Sequence, residues 1–275
     1  MMQRTVRILE ILSTNKKIKI KNLAELSAIS KVTLRKDLIK LEKQGIVHLS
    51  HGYVSLDGAD STSKRIAFNY LIKRKIAKLA AQIVEDGETI LIESGSCCAL
   101  FGEELAFSKK NITIITNSIF IANYLRKYKQ INIIMLGGCF QPETQMLIGP
   151  LVIKYSEDFY IDKYFLGTNG FTQEHGFTGR DILCTTTATE LANRAKNIFI
   201  LTESVKFNHR GAYNKIHFDR LTGVFTDDRI PELDEAVLIN NNVQVYKVPS
   251  REEKIKLCKY SGLPPFLYKE KDEQA

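Results

Sequence analysis

Seven short, almost unbroken apolar runs between residues 89 and 248 constrain the fold of this chain more than any other feature. They are TILIE (89–93), ITIIT (112–116), INIIML (131–136), KYFLG (163–167), NIFILT (197–202), LTGVFT (221–226) and VQVYKV (243–248), separated by small or polar residues and helical segments. A strand with one wet face alternates apolar and polar residues, whereas a run that is apolar throughout is buried on both faces. Such runs alternating with helices predict an α/β domain built on a mainly parallel sheet. Before it, the stretch from Lys64 to Val84 reads as one long helix, with Ile76, Leu79, Ala80 and Ile83 on one face, ending at Asp86-Gly87.

The first 56 residues have a different character. Residues 4–14 carry Ile8, Leu9, Ile11 and Leu12 at helical spacing, and Ile18-Lys19-Ile20 is a short apolar alternation. Leu23 and Leu26 mark a second short helix over 21–28. A third begins at Ser30, whose hydroxyl is placed to cap the amide of Thr33; Leu34, Leu38 and Leu41 form its apolar stripe and Gly45 ends it. Ile46–Leu49 and Tyr53–Leu56, separated by Ser50-His51-Gly52, read as a hairpin. Three helices and a hairpin predict a winged helix-turn-helix over residues 1–56. The polar stretch 57–63 reads as a linker, 64–250 as the α/β domain and 251–275 as a frayed tail.

Charge is divided along the same line. Residues 1–56 hold 11 Lys/Arg against 4 Asp/Glu, a net +7 of the chain's +8. Either a solvated basic surface or a module that binds double-stranded DNA accounts for that excess by itself; the helix-turn-helix pattern selects the second. In such a motif the first turns of the second helix meet base edges in the major groove, here Lys31, Thr33, Arg35 and Lys36, with Lys40 and Lys43 further along. Arg35 has the fork that recognises guanine, and Thr33 can meet a base or phosphate. Lys16, Lys17 and Lys19 are expected at phosphates, and His51, Gly52 and Tyr53 at the wing. A two-fold operator calls for a homodimer or homotetramer.

Other classes are excluded or disfavoured. No run approaches 18 apolar residues, so no membrane span is expected, and residues 1–11 lack the apolar core of a secretory signal. The five cysteines (97, 98, 139, 184 and 258) form no CxxC pair, which points to reduced cytoplasmic thiols, without a disulfide framework, metal site or other cofactor.

The segment ISKVTLRKDLIKLEKQGIVHLSHG resembles the DNA-binding signature of DeoR-type regulators, supplied here by Ser30, Thr33, Leu34, Arg35, Lys36, Asp37 and Leu38. It departs at Lys36, where arginine is usual, and at Tyr53, where a second glycine tends to follow His51-Gly52. The resemblance continues to about residue 250 through ESGSCC (93–98), TNS (116–118), LGG (136–138), IGP (148–150), GTNGFTQEHGFTG (167–179) and ESVKF (203–207). It implies an effector domain similar in fold to ribose-5-phosphate isomerase that binds a phosphorylated sugar or related metabolite, in a repressor relieved by its ligand.

The residues agree with that implication. Gly95, Ser96, Cys97 and Cys98 follow a buried strand and open a helix, where backbone amides and a hydroxyl can cradle a phosphate. Thr116 and Asn117, and Gly137 and Gly138, fall at other strand ends, where open α/β sheets place ligands; the resemblance over 167–179 adds Asn169, Gly170 and Gly176. Lys206 offers a point charge, or is a solvated surface lysine. Each glycine alone is also explained by a turn of positive φ. Cysteines replace the threonines usual at 97 and 98, leaving the anion to backbone donors, and a redox role for this vicinal pair competes with simple burial. Asn169 stands where an aspartate is usual, so the alternative of a sugar-phosphate isomerase with a basic appendage lacks a carboxylate base there, while Glu93, Glu174 and Glu203 remain to be placed. A third reading is a DNA-binder whose pocket has become structural.

Overall fold

The computed structural model describes residues 2–15, 17–44, 46–56 and 62–250. Lys16, Gly45, the greater part of the expected linker (57–61) and the expected tail (251–275) with Cys258 lie outside the described residues. The chain begins with α1 (Met2–Thr14), β1 (Lys17–Lys19), α2 (Ile20–Ser27), α3 (Lys31–Lys43), β2 (Val47–Ser50) and β3 (Tyr53–Leu56). The strands form an antiparallel sheet of order β1-β3-β2. Ile8, Leu9, Leu12, Leu23, Leu34 and Leu38 are buried between the helices, which makes this part a winged helix. Ser50 pairs with Tyr53, so the hairpin turn has two residues and not the three expected. His51 and Gly52 have φ of 47° and 78°, both left-handed, as a type I′ turn demands.

Two helices follow, α4 (Thr62–Ala67) and α5 (Tyr70–Ala81), where one was expected; α4 already begins inside the stretch read as linker. The break is at Asn69, with φ of 52°. Lys73 of α5 donates its ammonium to the carbonyls of Arg65 and Phe68 at the end of α4, and pairs with Glu203 at 3.0 Å. Carbonyls freed by ending a helix require such a donor, and here it is held by a carboxylate remote in sequence.

The remaining elements are β4 (Thr89–Ile92), α6 (Ser96–Ser108), β5 (Thr113–Thr116), α7 (Ile119–Leu125), β6 (Asn132–Met135), β7 (Cys139–Gln141), β8 (Met146–Ile148), α8 (Pro150–Ser156), β9 (Ile161–Leu166), β10 (Gly170–Thr172), β11 (Gly176–Gly179), α9 (Ile182–Ala192), β12 (Ala195–Leu201), a 3-10 turn (Ser204–Asn208), β13 (Tyr213–Ile216), β14 (Gly223–Asp227), α10 (Glu232–Asn240) and β15 (Gln244–Val248). The seven apolar runs form one sheet of order β15-β14-β12-β9-β4-β5-β6. Every pairing in it is parallel. Alternate residues face opposite cores: Ile90, Ile92, Phe165 and Phe199 join one, and Leu91, Tyr164, Leu166 and Ile200 the other. The first core is continuous with that of the winged helix, so the two parts pack as neighbours. Chain order reverses between β4 and β9, and in open parallel sheets the crevice at such a switch point, outside the carboxyl ends of the strands, is where ligands bind. The small antiparallel sheet β10-β11-β13 and the hairpin β7-β8 were not anticipated.

Candidate functional site

On the DNA-reading side, the amide of Thr33 donates to Ser30 Oγ at 3.3 Å, the cap expected of that serine. The stripe Leu34, Leu38 and Leu41 is buried, which turns Lys31, Arg35, Lys36, Lys40 and Lys43 to solvent. Asp37 is buried and accepts from Arg4 Nε at 2.9 Å, fixing α3 against α1 and hence the angle at which the basic face is presented. On the wing, Lys17 and Lys19 lie 4.9 and 5.7 Å from the centre of the Tyr53 ring, so that tyrosine gathers two cations beside exposed His51. Sequence reasoning overlooked Val32, which is 69% exposed in the first turn of α3 and can contact a thymine methyl. An apolar residue left in water among lysines was the signal.

In the α/β domain, the β4–α6 loop and the β9–β10 loop touch at the switch point. A Cβ on Gly167 would lie 3.0 Å from the Ser94 carbonyl, and Gly95 has φ of 127°, which a side chain would strain. Ser96 opens α6 there. Cys97 and Cys98 are buried behind it; burial pushes the Cys97 thiol up to about 12 and raises Cys98 as well. Neither is a thiolate at neutral pH, which favours burial over redox sensing.

A cleft of about 560 Å³ lies at this end of the sheet. Of the residues anticipated as effector-binding, it brings together Ser96 and Lys206, and adds Arg65, Lys73, Glu203 and His209. Its opposite wall comes from the winged helix: Leu12, Ser13, Thr14, Asn15 and Leu56. Burial lowers the pKa of Lys206; Glu203 opposes that, and Arg180, Arg65 and Lys73 add to it. Glu203 is already committed to Lys73 and accepts from Asn69 Nδ2 at 2.7 Å. Among the described residues the Lys206 ammonium forms no ion pair. Sequence reasoning missed Arg65 and His209 because nothing local marks them as neighbours of the glycine loop. Another recess, beside Lys196 and Asp219, lies at the opposite end of β12 from the glycine loops.

The other anticipated positions brace the loops. Thr116 and Asn117 are fully buried; Thr116 Oγ1 accepts from the amide of Ser118, and Asn117 Nδ2 donates to the Leu147 carbonyl at 2.9 Å. A Cβ on Gly138 would come within 2.5 Å of Val152, one on Gly170 within 2.3 Å of the His209 carbonyl, and one on Gly176 within 2.7 Å of the Ile216 carbonyl. Gly137 sits beside Tyr155, and Asn169 Oδ1 accepts from the Arg180 amide at 3.2 Å. Beneath the switch point Lys215 pairs with buried Glu93 at 2.8 Å and donates to the Gly167 carbonyl. Glu174 is exposed and faces His175.

A winged helix packed on a parallel α/β domain with a cationic cleft is the build of a two-domain transcription regulator. The DeoR-like helix-turn-helix domain matches residues 4–61 and the DeoR C terminal sensor domain matches residues 69–228, so this chain belongs to the DeoR family. It is 27% identical over 255 residues to the HTH-type transcriptional repressor GlcR of Bacillus subtilis (strain 168), covering 91% of this chain and 97% of that one. It is 25% identical over 237 residues to a putative aga operon transcriptional repressor of Escherichia coli O157:H7, covering 83% and 87%. Among solved structures, the ribose 5-phosphate isomerase A of Methanocaldococcus jannaschii is similar over 50% of this chain and 55% of that chain, at 20% identity and a TM-score of 0.38. Among the described residues no helix is long and apolar enough to cross a membrane.

Proposed function

We propose that this chain represses a carbohydrate-metabolism operon, and that a phosphorylated sugar or related metabolite in the cleft sets its affinity for operator DNA. The observation that carries the metabolite half is Lys206: a half-buried ammonium without an ion-pair partner among the described residues, in a cleft where Glu203, itself paired with Lys73, is set against the charges of Arg180, Arg65 and Lys73. Crowded cations beside the start of α6 are relieved by an anion, and the amides at a helix N-terminus add donors for it. The L-fucose operon activator of Escherichia coli (strain K12) among its relatives supports the carbohydrate setting, and the repressor GlcR supports repression. Cytoplasmic location and assembly as a homodimer or homotetramer on a two-fold operator complete this reading.

The isomerase alternative needs a carboxylate free to take a proton. Glu93 and Glu203 are both held in buried ion pairs, Glu174 is exposed, and Asn169 binds a backbone amide. These placements support a sensor without turnover. Melting the full-length protein against a panel of sugar phosphates tests the proposal. A ligand that binds only the native state raises the melting temperature by mass action, so at least one must do so. No shift with any of them, or steady isomerisation of one, counts against it.

A further inference from the structure

We infer that the carboxyl end of α1, Ser13 and Thr14 with the Asn15 that follows it, is the hydroxyl-recognising wall of the sensing cleft, so that one ligand is gripped between the DNA-binding domain and the α/β domain. This deepens the anion-site reading and rests on it.

The two walls differ in polarity. On one stand Lys206, Arg65 and the amide-rich start of α6 at Ser96; on the other is the carboxyl end of the 13-residue α1. A helix carries partial positive charge at its N-terminus and partial negative charge at its C-terminus, so a phosphate is drawn to the first wall and turned away from the second. The side chains on α1 sharpen that contrast. Ser13 Oγ donates to the Glu10 carbonyl at 2.7 Å, Thr14 Oγ1 to the Ile11 carbonyl at 2.9 Å, and Asn15 Nδ2 to the Ile11 carbonyl at 2.7 Å. With those donors spent on their own helix, what is left for a ligand is acceptor capacity on Ser13 Oγ and Asn15 Oδ1. Sugar hydroxyls donate to such atoms, whereas the esterified phosphate of a sugar, doubly ionised near neutral pH, has no proton to give. Phe68, 56% exposed in the same cleft, offers an aromatic face to the C–H side of a sugar ring. The cleft volume falls within the roughly 300–1,000 Å³ of small-molecule sites.

The anchoring of α1 makes the arrangement consequential. Leu12 belongs to the core that continues through Ile66 and Ile76, so the end of α1 is packed on the α/β domain and not merely near it. A ligand that bridges the cleft therefore acts on the position of the winged helix within one chain.

The test measures affinity of the full chain for inorganic phosphate, ribose 5-phosphate, glucose 6-phosphate, fructose 6-phosphate and fructose 1-phosphate. It compares wild type, Lys206→Ala, Ser13→Ala combined with Asn15→Ala, and Ser13→Ala alone, which leaves a good helix former in an exposed position and guards against misfolding of the double variant. The expected result is that Lys206→Ala weakens every probe. The α1 variants should weaken the best sugar phosphate about tenfold, the loss of one to two neutral hydrogen bonds, while leaving inorganic phosphate within about twofold. If Lys206→Ala weakens binding but the α1 variants bind that sugar phosphate like wild type, or if no sugar phosphate binds better than phosphate, this inference is overturned and the anion site stands. If wild type binds none of the probes, phosphate included, both fall together.

Discussion

Arg35 and Lys206 are the two side chains on which the chemistry of the account turns. Arg35 is exposed on the second turn of α3 and contributes nothing to the buried stripe. Arg35→Ala is therefore expected to cost about 1–3 kcal/mol of operator binding and to relax selectivity at one base pair, with an unchanged melting temperature. Competition between specific and random duplexes in a fixed salt concentration measures it, and a fall in melting temperature would make the residue structural. Lys206 makes a prediction about pH. Its folded-state pKa lies below the ordinary 10.5, so in the empty protein the charged form weighs against the fold at low pH, and that burden lifts as pH rises through the lowered value. An anion needs the charged form. Its affinity should hold below that pKa and fall as pH rises through it, before 10.5 is reached. Sulfate is the suitable probe because it does not titrate in this range; Lys206→Ala should abolish the fall. The groups that set the pKa besides burial are Glu203, Arg180, Arg65 and Lys73, so Lys206 was recognisable from sequence as a candidate, but its crowding was not.

At the scale of elements, α6 joins the two halves of the molecule. Its first residue lines the cleft, and two turns on its Glu103 accepts from Gln44 Nε2, at the end of α3, at 3.0 Å. Arg74 at 3.0 Å, Tyr124 at 3.2 Å and Tyr128 also donate to that buried carboxylate, which burial and the charge itself reflect in a raised Tyr124 pKa. Gln44→Ala removes one donor of several and is expected to cost about 1–2 kcal/mol, read as a lower denaturant midpoint with the same slope. It should also shrink the effect of ligand on DNA affinity while leaving ligand affinity intact; an undiminished effect would exclude this contact from the coupling. The inner strands of the main sheet were legible because burial on both faces leaves a continuous apolar run; the edge strands β6 and β15 are only partly buried and were legible from their β-branched and aromatic residues. The strands β7, β8, β10, β11 and β13 were not, because they are short and hold polar and glycine residues whose partners lie on other loops. The division of α4 from α5 depends on Lys73 reaching Glu203, a contact no local pattern displays. For the same reason Ser96 and Lys206 could be read from the chain, whereas Arg65, His209 and the end of α1 belong to the site only once the chain is folded.

For the whole molecule, the concentration of +7 in the first 56 residues implies binding to DNA that weakens steeply with salt, since each phosphate contacted releases a counterion. The logarithm of the association constant should fall linearly with the logarithm of salt, and removing Lys17 and Lys19 together should reduce that slope by about two. A regulator must further couple the two ends: a ligand that alters DNA affinity by some factor has its own affinity altered by the same factor when DNA is bound. The most direct measurement titrates the full chain with duplex recovered from its bound genomic sites, with and without the sugar phosphate that most raises its melting temperature. Duplex affinity is expected to change about tenfold or more, matched by an equal change in ligand affinity on adding duplex. Duplex affinity that is indifferent to every ligand the cleft accepts would contradict that coupling.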